Sequence, residues 1–210
     1  MNPTVLVVDD EPDVRDAVAF ALRQSGHAVR TFASGPELLA EIDAQLPELR
    51  AVCVLHVRME PMSGPAVHDA LIARGLKQRV PVLFLSGHGD IPTAHAAGHK
   101  GAVDFIEKPR IDGLVEKVGL ALAQEAQWFA AHSRAVFRRS LWDSLSPQQR
   151  RVALRVAEGM LNKQVAHELQ VTERMVEEHR RRVYEKLGVD SSAGVATTLT
   201  ELRADGMALD

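Results

Sequence analysis

The sequence has little of what would cross-link a chain or hold it in a membrane. Only one of its 210 residues is cysteine, so an intramolecular disulfide is excluded. That residue, Cys53, sits in an apolar run, which predicts a buried thiol in a reducing compartment. No apolar run reaches the about 20 residues that cross a bilayer, and no basic segment of a signal peptide opens the chain. We therefore expect a globular, cytoplasmic protein.

The sequence also lacks aromatic residues and an excess of positive charge. Aromatics make up 4% of the chain, so Val, Leu, Ile and Ala must build the cores. The net charge is −3, which argues against nucleic-acid binding by the whole surface. Residues 138–210 carry a net charge of +1 and the preceding residues −4. This small asymmetry favours nucleic-acid contact by the C-terminal part alone.

Short apolar runs alternate with amphipathic stretches in the first half of the chain. Continuous apolar strands separated by helices predict an α/β domain with a doubly wound, five-stranded parallel sheet of flavodoxin-like type. The predicted strands are Thr4–Val8, Ala28–Phe32, Ala51–Val57, Val80–Leu85 and Val103–Ile106. The predicted helices between them are Asp13–Gln24, Pro36–Gln45, Pro65–Arg74 and Pro92–Lys100.

A fifth helical pattern extends beyond the needs of a small domain. It runs from near Asp112 to Phe137, about 39 Å at 1.5 Å per residue. Two interpretations stay open, a fifth helix with a frayed linker or a connecting helix that also pairs two chains. We predict a first domain over residues 1–125, a helical linker over 126–144 that continues the fifth helix, and a second domain over 145–210.

The second domain shows four short helical patterns with clear starts. Ser146, Pro147 and Gln149 form the pattern of a capping box. Asn162 and Thr172 are the predicted caps of the next two helices, which end at Leu169 and Leu187. A last helix covers about Ser192 to Arg203. Four short helices joined by tight turns predict an all-α helix-turn-helix domain.

Polar residues follow the predicted strands on the side where α/β sheets place their sites. They are Asp9 and Asp10, His56, Ser86 and Lys108. The stretches VLVVDDEPDVR, HVRMEPMSG, FLSGHGDIPTA and GAVDFIEKP resemble the receiver domain of two-component response regulators, over residues 1–125. That family has a CheY-like fold.

This resemblance implies a role for each position of the pocket. Asp9 and Asp10 match the metal-binding acidic pair, and the carbonyl of Arg58 matches a further metal ligand. The remaining matches are Ser86 as the switch hydroxyl, Phe105 as the switch aromatic and Lys108 as the phosphate-sensing lysine.

The sequence departs from the family at the phosphate acceptor, where His56 stands in place of aspartate. Imidazole cannot form an acyl phosphate, and Mg²⁺ loses an oxygen ligand. We therefore expect a degenerate pocket with no bound metal, no cofactor and no enzymatic activity. Four interpretations of His56 stay open: an inert replacement that donates to Asp9 or Asp10, a phosphohistidine acceptor, a transition-metal or pH site with those acids, or an engineered substitution.

Residues 145–207 resemble the LuxR-type helix-turn-helix of the FixJ/NarL regulators, through LSPQQRRVALRVAEGMLNKQVAHELQVTERMVEEHRRRVYEKLGV. The resemblance implies that the helix Glu173–Leu187 enters the major groove. Apolar Val176, Val183 and Leu187 should pack inward. The predicted DNA-binding residues are Lys163, Thr172, Arg174, Glu177, Glu178, Arg180, Arg181 and Lys186. The pair Glu177 and Glu178 has two interpretations in contact with DNA, reading of cytosine N4 or repulsion of phosphates, and a solvated charged helix face is the alternative.

Together these patterns predict a sequence-specific DNA-binding transcription regulator that does not depend on aspartyl phosphorylation. We expect a homodimer that reads a palindromic operator in double-stranded DNA. The predicted dimer contacts are Leu122, Trp128, Phe129, Val195 and Leu199. Two alternatives stay open. One is an adaptor that binds a partner protein through the receiver fold, and the other is a metal- or pH-responsive regulator that uses His56 with Asp9 and Asp10.

Overall fold

The structure, a computed structural model, describes residues 3–46, 49–87, 98–107 and 113–209. The chain divides into two compact units, Met1–Phe129 and Ala130–Asp210, which are described separately. Within the described ranges, none of the helices combines the length and apolar character that a membrane span requires.

The first unit is a parallel sheet with helices on both faces, so the predicted fold class is confirmed. The strand order is β2-β1-β3-β4-β5, and every neighbouring pair is parallel. The strands are β1 (Thr4–Val8), β2 (Val29–Phe32), β3 (Ala51–His56), β4 (Val82–Ser86) and β5 (Asp104–Glu107). The helices are α1 (Pro12–Gln24), α2 (Gly35–Gln45), α3 (Gly64–Ala73) and α4 (Leu114–Asp143). Residues 92–97 of the predicted fourth helix lie outside the described residues.

Strand β3 explains why the sheet needs cover on both faces. All six of its residues are buried. Ala51, Cys53 and Leu55 contribute to the apolar cluster on one face, and Val52 and Val54 to the cluster on the other. Burial raises the pKa of the Cys53 thiol to about 12, so this cysteine is a neutral packing residue.

A buried ion pair joins β3 to the long helix α4 at the end of the sheet where β3 begins. The Arg50 guanidinium donates to both carboxylate oxygens of Glu125, at 2.8 and 2.7 Å. Glu125 is 1% exposed, and its hydrogen bonds raise the pKa of Arg50. Arg50 also lies over the ring of Phe129 at 4.0 Å, and Arg79 over the ring of Trp128 at 5.9 Å. Two predicted dimer contacts, Trp128 and Phe129, therefore face arginines of their own unit.

Helix α4 continues through the range predicted as a helical linker, over residues 126–144, and ends at Asp143. Its predicted start at Asp112 lies outside the described residues, and the helix covers 30 residues, about 45 Å. The helix passes Phe137, the last residue of the fifth helical pattern, and its last turn contains Trp142, an anchor of the second unit. Trp142 is 1% exposed and belongs to that unit's apolar cluster.

The second unit contains four further helices around one apolar cluster. They are α5 (Pro147–Ala157), α6 (Asn162–Leu169), α7 (Glu173–Leu187) and α8 (Ser192–Ala204). The capping box is present, with Ser146 Oγ accepting from the Gln149 N–H and Gln149 Oε1 accepting from the Ser146 N–H. Thr172 caps α7 through Met175 N–H. The prediction for Asn162 was wrong, because Leu161 is the residue that precedes α6.

We predict that Glu125→Gln lowers the free energy of unfolding of the first unit by about 3 kcal/mol. This loss lies at the lower limit of what breaking a buried ion pair costs, because the Arg50 side chain keeps some contact with water. Scanning calorimetry of the full chain should show one shifted transition. The control is Asp69→Asn, which breaks the exposed pair with Lys100 and should change unfolding by less than about 1 kcal/mol. Equal effects of the two variants would contradict the structural importance of the buried pair.

Candidate functional site

Parallel pairing brings the ends of β1, β3 and β4 to one rim of the sheet. Residue Asp9 follows β1 and is fully buried, while His56 ends β3 and Ser86 ends β4, each 8% exposed. The imidazole Nδ1 of His56 lies 3.1 Å from Asp10 Oδ1 and 3.3 Å from Asp9 Oδ1. The structure thus brings together four of the predicted pocket residues. Lys108 lies outside the described residues.

The backbone around the rim fixes these side chains tightly. The N–H of Glu11 donates to Asp9 Oδ1 at 3.0 Å, and the Arg15 guanidinium donates to the Asp9 carbonyl at 2.6 Å. Gly64 opens α3, and its N–H donates to the Val57 carbonyl at 3.0 Å. A Cβ at position 64 would lie 2.3 Å from the His56 carbonyl oxygen. Only glycine permits the two backbones to lie this close, so the start of α3 packs directly against the end of β3.

The other two matched positions lie beside the same rim. Phe105 on β5 stacks on Phe84 of β4, with the ring centres 4.9 Å apart. It therefore packs against the core of the unit. Arg58 follows β3 and is exposed. The roles that the resemblance implies for Ser86, Phe105 and Arg58 stay predictions.

The sequence did not lead us to assign Glu11 to the rim. Ligand-type atoms of Asp9, Glu11 and His56 all lie within 4.8 Å of one another. The signal was present, since Glu11 directly follows the acidic pair, but its approach depends on the turn between β1 and α1. The rim therefore offers an imidazole nitrogen and carboxylate oxygens as potential metal ligands.

The second candidate surface is the outward face of helix α7. Val176, Val183 and Leu187 are buried, as predicted. On the opposite side, Glu178 Oε1 accepts from Arg181 Nη2 at 3.0 Å and from Arg182 Nε at 2.7 Å. Hydrogen bonds from Arg181, and next from Arg182, lower the pKa of Glu178. The exposed residues Lys163, Thr172, Arg174, Glu177 and Arg181 lie on α6, α7 or the turn between them.

Comparison with known proteins identifies the domain type of both units. Residues 5–119 match the response regulator receiver domain, and residues 143–199 match the bacterial regulatory proteins of the luxR family. The chain belongs to the response regulator family. Its relatives include the C4-dicarboxylate transport transcriptional regulatory protein DctR of Rhodobacter capsulatus, 42% identical over 93% of this chain and 98% of that protein.

Further relatives cover the same two domains. The tetrathionate response regulatory protein TtrR of Salmonella typhimurium is 37% identical, over 90% of this regulator and 88% of its own length. Among solved structures, the response regulator StyR is 31% identical, covers 96% of this chain and 100% of its own, and has a TM-score of 0.86. The regulator thus consists of a receiver domain followed along the chain by a luxR-type domain.

Two of the predicted DNA contacts have internal roles in this regulator. Arg180 donates to Tyr184 Oη at 2.8 Å and to Asn162 Oδ1 at 3.0 Å, so it links α7 to α6. Lys186 Nζ donates to the Ser144 carbonyl at 2.6 Å and to Gln149 Oε1 at 3.0 Å. Sequence position alone places both cations on α7, but their partners outside that helix lie 18 to 42 residues away along the chain.

The predicted dimer contacts on α8 are also internal. Val195 and Leu199 are 0% and 1% exposed, and both belong to the apolar cluster of the second unit. The prediction that they form an exposed dimer edge was wrong, because the apolar stripe of α8 is needed to close its own core. Leu122 is partly buried against the core of the first unit.

We predict that Lys186→Ala and Lys163→Ala separate stability from DNA contact. The first variant should lower the free energy of unfolding of the second unit by about 1.5 kcal/mol, because it removes charge-assisted hydrogen bonds. The second should leave unfolding unchanged and reduce the salt dependence of DNA binding by about one unit of slope, as the loss of one phosphate contact requires. Calorimetry and fluorescence anisotropy measure the two effects. Equal stability of the two variants would contradict the internal role of Lys186.

Proposed function

We propose that this response regulator binds DNA and controls transcription without accepting phosphate on an aspartate at the end of β3. The observation that carries the proposal is the imidazole of His56, within hydrogen-bonding distance of both Asp9 and Asp10. An acyl phosphate requires a carboxylate at this position. The ring supplies none, and it faces the acids that the family uses for metal binding.

The donor set at the rim does not fit the Mg²⁺ ion that the family implies. Mg²⁺ prefers octahedral oxygen ligands and dehydrates reluctantly. Here the Nδ1 atom of His56 lies 3.1 to 3.3 Å from one oxygen of each acid, where its N–H can donate to them. A hydrogen bond from imidazole uses the same oxygens that the ion would need. The proposed function therefore includes no step at a magnesium ion.

Direct contact with DNA is the output that we propose for the second unit. The relatives DctR and TtrR are named as regulatory proteins, DctR as a transcriptional one. The outward face of α7 carries exposed Arg174 and Arg181, and arginines there can reach phosphates or guanine. We further propose a homodimer on a two-fold operator. Its contacts exclude the buried side chains of Val195 and Leu199.

The decisive experiment compares the wild-type protein with His56→Asp and His56→Asn after incubation with acetyl phosphate and Mg²⁺. Intact-protein mass spectrometry should show an added phosphoryl group on His56→Asp alone, because only that variant restores a carboxylate acceptor. Affinity of the wild-type protein for its own promoter region should not change with acetyl phosphate. Phosphoryl incorporation by the wild-type protein, with tighter DNA binding, would overturn the proposal.

A transition-metal sensor is the second candidate function, favoured by the cluster of Asp9, Glu11 and His56. A nitrogen ligand among carboxylates suits Co²⁺, Ni²⁺ or Zn²⁺ better than Mg²⁺. This candidate predicts one Co²⁺ per chain with visible ligand-field absorption. His56→Ala should weaken binding more than about tenfold. Absence of stoichiometric Co²⁺ binding at neutral pH would remove this candidate and leave the phosphate-independent regulator intact.

A further inference from the structure

One carboxylate on the recognition helix is already engaged by two arginines. Glu178 Oε1 accepts from Arg181 Nη2 and Arg182 Nε, at 3.0 and 2.7 Å. Arg181 Nη1 also lies 3.8 Å from Glu185 Oε2, so a carboxylate flanks this guanidinium on either side along the helix. These residues lie on the side of α7 opposite the buried Val176 and Val183.

We propose that Glu178 is a positioning residue that holds Arg181 for contact with a guanine, and that Glu178 itself does not read a base. This inference rests on the proposed function, since it requires that α7 contacts DNA. It replaces both earlier interpretations of Glu178, reading of cytosine N4 and simple repulsion of phosphates.

The hydrogen-bond inventory of the side chains supports the assignment. Glu178 Oε1 already accepts two charge-assisted hydrogen bonds, which tie its carboxylate to the side chains of Arg181 and Arg182. Arginine has five N–H donors, and each terminal nitrogen carries two. The hydrogen bond to Glu178 uses one N–H of Nη2, which leaves the second N–H of Nη2 and both N–H groups of Nη1 for other acceptors. Two such parallel donors match the O6 and N7 acceptors of guanine.

Exposure distinguishes Arg181 from its neighbour. The side chain of Arg181 is 65% exposed and that of Arg182 is 53% exposed. Arg181 contacts carboxylates on both sides, whereas Arg182 has one such contact among the described residues. A long side chain that is hydrogen-bonded at one terminal nitrogen and has an ion-pair partner at the other loses less freedom when it binds, so the two glutamates favour Arg181 as the base-reading residue.

The test selects preferred sequences from a random duplex pool with the full-length wild-type protein and with Glu178→Gln, Arg181→Ala and Arg182→Ala. Glu178→Gln and Arg181→Ala should each lose preference for the same guanine, by about tenfold, because both remove one bidentate contact. Arg182→Ala should weaken binding and leave base preference unchanged. The double variant Glu178→Gln/Arg181→Ala should lose no more preference than Arg181→Ala alone.

A charge control separates positioning from repulsion. Glu158→Gln removes one exposed negative charge at the residue that follows α5, outside α7, and should leave base preference unchanged. The proposal is overturned if Glu178→Gln keeps the guanine preference, or if it relaxes a different base pair from Arg181→Ala. A wild-type protein that selects no sequence would instead overturn the proposed function, and this inference with it. Melting curves of each variant confirm that the second unit is folded.

Discussion

Parallel pairing of β1, β3 and β4 is the constraint on which the receiver rim depends. The register places Val8 beside Leu55, and His56 beside Leu85, so the residues that follow β1 meet the last residue of β3. Because all six residues of β3 are buried, a one-residue slip of this strand would move every side chain to the opposite face and disrupt packing on both faces. The position of His56 against Asp9 and Asp10 is therefore a consequence of core packing. Any side chain at that position faces the same two acids.

The pair Arg50–Glu125 imposes a comparable constraint at the opposite end of β3. A carboxylate that is 1% exposed requires a partner, and Arg50 supplies two hydrogen bonds to it. These bonds hold α4 at the start of β3, beyond the apolar residues through which α4 packs on the sheet. The aromatic rings of Trp128 and Phe129, which follow, lie against arginine side chains of the same unit. Neither ring is therefore a purely apolar surface.

Local signals predicted most of the fold, and long-range contacts account for the differences. The bounds of β1 agree at both ends because Val and Leu fill it and charged residues follow. The capping box at Ser146 was read from three residues. In contrast, the burial of Trp142 near the end of α4 and the hydrogen bonds of Arg180 and Lys186 depend on residues that are distant in sequence. A pattern along one helix cannot show which cation is hydrogen-bonded to another helix or turn.

The same distinction applies to the two candidate sites. Sequence position placed Asp9, Asp10, His56 and Ser86 at one rim, since strand ends in a parallel sheet must meet. It also placed charged residues on the outward face of α7. It could not show how these charges interact. In a net charge, Glu178 and Arg181 simply cancel, whereas in the structure their side chains are hydrogen-bonded to each other. In the proposed contact of α7 with DNA, an acidic residue therefore need not oppose binding, because it would hold the neighbouring cation that reads a base.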